Sequence, residues 1–109
     1  MPSYDEKIAA GRKPCQIPGC RRTFKPGDYN ELICGEHWRL APIARRKVYA
    51  RVRKAWEVAS VEYARFAAIS DTHPDEHAEA AGKFVALESR CDRLWERIKR
   101  QIIERVVGL

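Results

Sequence analysis

No apolar run in the 109 residues approaches the roughly eighteen needed to cross a membrane. The opening Met-Pro-Ser-Tyr-Asp-Glu-Lys has no apolar segment of the kind a secretory signal carries. These two absences predict a soluble, cytoplasmic protein. The six glycines are scattered, so no Walker loop or dinucleotide fingerprint is formed. No nucleophile stands at a recognisable spacing from a base. An enzyme is therefore not expected.

Acidic residues are scarce in one half only. Residues 1–54 hold thirteen Lys or Arg against five Asp or Glu, whereas residues 55–109 hold eight against ten. The net charge of +6 thus belongs to the first half. A polyanionic partner suits that half, because neutralising phosphates releases counterions and gives affinity without sequence reading. A merely solvated basic surface is the plain alternative.

What the chain does have is four good metal ligands in two close pairs, Cys15 with Cys20 and Cys34 with His37. Thiolates and neutral imidazole suit Zn²⁺, and a closed tetrahedral site takes four of them. Pro18-Gly19 can reverse the chain between the first pair, since Pro presets φ and Gly accepts a positive one. Two disulfides compete for the same residues, but without a secretory signal a cysteine cluster beside a His reads as one structural zinc ion. Between the pairs, residues 21–25 and 31–34 read as two very short strands about a turn at Pro26-Gly27-Asp28.

A knuckle, a hairpin and a second ligand pair in the first turn of a helix resemble the treble-clef zinc finger. The resemblance covers about a quarter of the chain and rests on ligand spacing and local order. Four residues separate Cys15 from Cys20 where treble clefs commonly have two, which is a departure in the knuckle. The run from Ile33 to Arg39, Ile-Cys-Gly-Glu-His-Trp-Arg, also resembles small uncharacterised zinc-finger proteins carried by bacteriophages, which would place the chain in a host cell and implies no activity. Nucleases built on treble-clef-like motifs need a further His for a catalytic cation, and His37 is the only His near this finger.

Residues 1–14 read as an N-terminal arm with a short turn of helix around Tyr4 to Ala10, and residues 15–41 as the zinc module. Residues 42–109 follow as a helical hairpin. Pro42 breaks the helical pattern that starts at His37, because its ring disfavours a helical Ala41 and removes a donor. From there Tyr49, Val52, Trp56, Ala59, Tyr63, Phe66 and Ser70 alternate at spacings of three and four, so one face of a helix over about 42–70 is to be buried. Ser70 to Glu76 combines capping residues, a proline suited to a first turn and two acids, so a second helix is expected over about 74–107. Its stripe is Phe84, Leu87, Cys91, Leu94 and Ile98, widened by Trp95, Ile102 and Val106. Cys91 reads as a small apolar core residue. The expected fold is mostly α: a small treble-clef-like zinc finger, a short β-hairpin plus helix, followed by a long antiparallel helical hairpin of coiled-coil type. The breadth of the stripes leaves room for a homo-oligomer.

His73-Pro74-Asp75-Glu76-His77 matches the His-x-x-Glu-His pattern of inverted zinc peptidases. Pro74 puts His73 outside a regular helix and the chain is too small to wall a cleft, so both His read as polar turn residues.

Two non-catalytic functions remain. In the first, the chain is a regulatory nucleic-acid-binding protein, with DNA the expected target, using Arg21, Arg22, Lys25 and Arg39 on the finger and Arg46, Lys47, Arg51, Arg53 and Lys54 on the long helix. At 100° per residue, Lys47, Arg51 and Lys54 lie opposite the apolar stripe, where they can meet phosphates. Asn30 and Gln16 are the only nearby side chains of the type that reads adenine, so base reading is not indicated. In the second, the hairpin is a protein-binding adaptor or inhibitor anchored by Trp38, Trp56 or Trp95, with zinc purely structural.

Overall fold

Ser3-Tyr4-Asp5-Glu6 has the spacing of a capping box. In the computed structural model, which describes residues 2–27 and 31–108, the Ser3 hydroxyl accepts from the Glu6 amide at 3.2 Å and opens α1, Tyr4–Ala9. Gly11, with φ of 92°, closes it. The Gly11 amide donates to the Ile8 carbonyl at 3.0 Å and the Arg12 amide to the Lys7 carbonyl at 3.2 Å, the paired bonds of a Schellman ending. This ending carries the chain back along α1 and brings the backbone of Arg12 against that of Lys7.

Two-residue strands follow, β1, Lys13–Pro14, and β2, Thr23–Phe24, paired antiparallel with Lys13 opposite Phe24 and Pro14 opposite Thr23. The expected hairpin is present, but with a different partner. Thr23–Phe24 pairs with the strand before the first ligand pair, not with residues 31–34, so the hairpin flanks the knuckle. Leu32 makes only an isolated parallel bridge to Cys15, with the Gln16 amide donating to the Leu32 carbonyl at 2.8 Å. The turn expected at Pro26-Gly27-Asp28 runs into positions outside the described residues, and Asn30 lies there too.

Helix α2, Gly35–Trp38, is a single turn prolonged through Leu40 and Ala41 by amide bonds to the His37 and Trp38 carbonyls. It stops before Pro42, as the lost donor requires. Helix α3 then runs Ile43–Ala67 and α4 runs Pro74–Val107, with the reversal at the expected place. Asp75 and Glu76 sit in the first turn of α4, where carboxylates meet the positive end of the helix dipole.

The chain divides into two units. One comprises residues up to Pro42 together with those from Ile98 onward, the other Ile43–Arg97. The first has its own buried apolar set in Cys15, Ile17, Cys34, Ala41, Ile98 and Ile102. The last turns of α4 thus belong to the core of the finger unit. Burying Ile98 and Ile102 so fully contributes about 1.5–3 kcal/mol each. In this unit Lys99 Nζ donates to Glu31 Oε1 at 2.7 Å.

The second unit is the antiparallel helical hairpin. Its register is read from stacked or tilted ring pairs, Tyr49 with Trp95, Trp56 with Phe84, Tyr63 with Phe84 and His77, and Phe66 with His73. Ala59, Ala80 and Cys91 are buried beside these rings with Val52. Small residues between large ones let the helices approach while the rings fill the gaps. Cys91 is core, as expected, and burial pushes its thiol above the ordinary value.

Candidate metal centre and basic surfaces

Each of the four expected ligands is placed by its own local device. The Cys15 amide donates to the Arg22 carbonyl at 3.0 Å, which continues the β-ladder into the first ligand. The Cys20 amide donates to the Ile17 carbonyl at 3.1 Å, closing a four-residue turn around Pro18 and Gly19, whose φ is 82°. Proline then a positive-φ glycine is the composition of a type II turn. The four-residue interval therefore suits one tight turn as well as a two-residue interval does. Cys34 caps α2 with extended backbone, and His37 follows within the first turn.

These devices converge. The ligand atoms of Cys15, Cys20, Cys34 and His37 all lie within 4.8 Å of one another, the one such group of His, Cys, Asp and Glu among the described residues. Cys20 Sγ lies 3.9 Å from Cys34 Sγ, and His37 Nδ1 lies 3.1 Å from Cys34 Sγ and 3.9 Å from Cys15 Sγ. Ligands around one Zn²⁺ at about 2.3 Å for sulfur and 2.0–2.1 Å for nitrogen would stand about 3.5–3.8 Å apart. The donor set fits a tetrahedral ion, with His37 offering Nδ1. The Cys34 amide donates to Cys15 Sγ at 3.3 Å, which disperses negative charge from that sulfur. All four cysteines are free thiols, so the disulfide alternative is not what the fold adopts.

The thiols differ in acidity. Burial opposes ionisation of Cys34, but a hydrogen bond from the His37 backbone, those of Cys15 and Cys20, and the nearby Arg22 charge outweigh it and hold the thiol below its ordinary value. At Cys20 burial prevails over the bond from the Arg22 backbone and raises the thiol. A bound metal ion would take both as thiolates, overriding the effect of burial at Cys20. A Zn²⁺ held by all four side chains would have no open position and would supply folding energy.

His73 and His77 do not join a metal group. His73 Nδ1 lies 2.8 Å from Thr72 Oγ1, and His77 stacks on Tyr63 with ring centroids 5.5 Å apart.

The expected basic residues fall in both units. On the finger, Arg21 lies over the Tyr4 ring at 5.7 Å, Arg22 pairs with Glu36, and Lys25 and Arg39 are exposed. Arg21 and Arg22 meet Lys7 and Arg12, two cations the sequence reading assigned to an arm, around an open cavity of about 470 Å³. Their meeting depends on the α1 ending and on the β1–β2 pairing. On α3, Lys47, Arg51 and Lys54 are exposed on one face and unpaired among the described residues. Arg46 is half-buried, and Arg53 pairs with Glu57 and covers Trp56 at 4.8 Å. Arg51 also reaches a second cavity of about 350 Å³, beside Arg90 of α4, a cation sequence reasoning missed.

Comparison with protein-family models, with curated proteins and with solved structures returns no match. The treble-clef likeness stands on ligand spacing and local geometry alone. No helix is long and apolar enough to cross a membrane.

Proposed function

We propose that the chain is a zinc-stabilised, non-catalytic, regulatory nucleic-acid-binding protein that grips the phosphate backbone, of DNA above all. The observation that carries the reading is the row Lys47, Arg51 and Lys54, exposed on one face of α3 and without an acidic partner among the described residues. Exposed ion pairs contribute little to stability, so leaving these cations unpaired costs the fold little. A row left without partners is available to phosphates. Four further cations gathered on the finger support the same reading. Zinc acts structurally, fixing the backbone that carries the finger cations.

A protein adaptor or inhibitor is the second reading. It is favoured by Val58 and Val61, exposed farther along α3, and by Val85 on α4. Against it, Trp56 stacks on Phe84 and Trp95 packs at a tilt against Tyr49 inside the hairpin, so two of three candidate anchors are occupied. Anisotropy titration of the zinc-loaded chain into labelled duplex DNA and single-stranded RNA, at two salt concentrations, decides. Salt-sensitive binding supports the nucleic-acid reading, and no binding at low salt transfers it to the adaptor.

A further inference from the structure

Four cations line one open cavity on the finger, and they arrive from three separate places in the chain. Lys7 comes from the last turn of α1, Arg12 from just after the Schellman ending, and Arg21 and Arg22 from between the first ligand pair and β2. Three of them are held in place. Arg12 donates from Nε to the Thr23 hydroxyl at 2.8 Å and from Nη2 to the Thr23 carbonyl at 3.0 Å. Arg21 rests on Tyr4, and Arg22 is paired with Glu36. Only two of the five N–H donors of Arg12 are committed by these bonds, so the guanidinium is fixed and still able to donate. Fixed cations lose little freedom when they bind.

A plain alternative is that these cations only offset the zinc–thiolate centre. Three thiolates and a neutral imidazole around Zn²⁺ sum to a single negative charge, and Glu36 adds one more beside Arg22. Four cations exceed both. The surplus of about two matches a phosphate monoester, which carries about −1.5 to −2 at neutral pH and three strong acceptor oxygens, better than a backbone diester with its single charge. The cavity, at about 470 Å³, has room for more than the phosphate. Phe24 is on its wall, and an aromatic side chain there can stack with an unstacked base.

We propose that this cavity is a binding site for a terminal phosphate monoester of a nucleic-acid strand, with Lys7, Arg12, Arg21 and Arg22 on the phosphate and Phe24 against the terminal nucleoside. The source of the phosphate rests on the nucleic-acid reading given above. The cavity itself stands on its own geometry.

The test uses the full zinc-loaded chain and one single-stranded oligonucleotide labelled internally, with terminal phosphate or terminal hydroxyl. The phosphorylated strand is expected to bind roughly tenfold more tightly, the size of a charged hydrogen-bond contribution. Lys7→Ala should cut that preference severalfold and Lys7→Arg should keep it, and an undiminished preference in Lys7→Ala would remove Lys7 from the site. No hydrogen bond or ion pair of the Lys7 side chain with the described residues holds the fold, so Lys7→Ala should fold as the parent does. Equal affinity for both strands overturns the terminal assignment while leaving nucleic-acid binding intact. If neither strand binds, the strand-end assignment fails; duplex DNA at low salt then tests the nucleic-acid reading separately, and adenosine monophosphate against adenosine probes the cavity alone. Monophosphate-specific shifts of the Thr23 and Gly35 amide resonances keep the site, and their absence overturns it.

Discussion

Lys99 Nζ lies 2.7 Å from Glu31 Oε1, joining residues 68 apart in the chain. Both belong to the finger unit, and the side chains are only 18% and 31% exposed. The pair ties the last turns of α4 to the segment three residues before Cys34. Lys99→Met is expected to destabilise the zinc-loaded protein by about 1–3 kcal/mol, between the values for exposed and buried pairs, because Glu31 keeps its charge and loses the Lys99 ammonium. Adding Glu31→Gln should recover part of the loss in urea denaturation. A single change within about 0.5 kcal/mol of the parent would show that the pair contributes little.

Ile102 is fully buried in the same unit. Ile102→Ala should cost about 2–5 kcal/mol, through lost burial and the cavity left behind. Val58→Ala, at a side chain 61% exposed, should change stability by less than about 0.5 kcal/mol. Urea denaturation of the two variants checks the contrast, and equal losses would contradict the division between core and surface.

Alkaline pH should weaken the hairpin. Burial raises both the Cys91 thiol and the Tyr49 phenol, with the nearby Arg53 opposing each in part. A group whose proton is held more tightly in the folded state stabilises the fold below its unfolded value, and that stability is lost as pH rises through the folded value. The Cys91 contribution is therefore complete below the ordinary thiol value of 9.0 and falls above it, with the Tyr49 contribution following above 10.0. Thermal melts followed by circular dichroism should show no pH dependence from these groups between neutrality and pH 9 and a decline beyond it. Cys91→Ala should shallow the decline, and an unaltered pH dependence would contradict the assignment.

The helices were legible because their signals are local and repeated. The three-and-four alternation from Tyr49 to Phe66 and from Phe84 to Cys91 fixes which face is buried, and Pro42 and the Ser70–Glu76 stretch fix where helices stop. The ligand pairs were legible because each is closed by a short turn. Strand pairing was not. Two-residue strands have no alternation to detect, so nothing in the residues themselves distinguishes Lys13–Pro14 from residues 31–34 as the partner of Thr23–Phe24. The role of Ile98 and Ile102 was half legible, since an apolar stripe announces burial without naming what covers it. The cavity cations Lys7 and Arg12 were hidden for the same reason, because only the α1 ending and the β1–β2 pairing bring them to Arg21 and Arg22.

The α3 row makes a separate prediction. Lys47→Ala with Arg51→Ala should leave the melt within about 0.5 kcal/mol of the parent, because both side chains are exposed and unpaired among the described residues. Duplex binding should weaken, with a salt slope shallower by roughly two, one for each phosphate contact removed. Binding and slope equal to the parent would exclude these two residues from the interface.

Cys15, Cys20, Cys34 and His37 sit where the knuckle, the start of α2 and the backbone carrying the finger cations meet. X-ray absorption at the zinc edge, on protein loaded to one ion per chain, measures this centre directly. The expected first shell is three sulfurs at about 2.3 Å and one nitrogen at about 2.0–2.1 Å. A four-sulfur shell would bring in Cys91 and contradict the assignment of His37, and failure to retain a stoichiometric ion would contradict the centre itself.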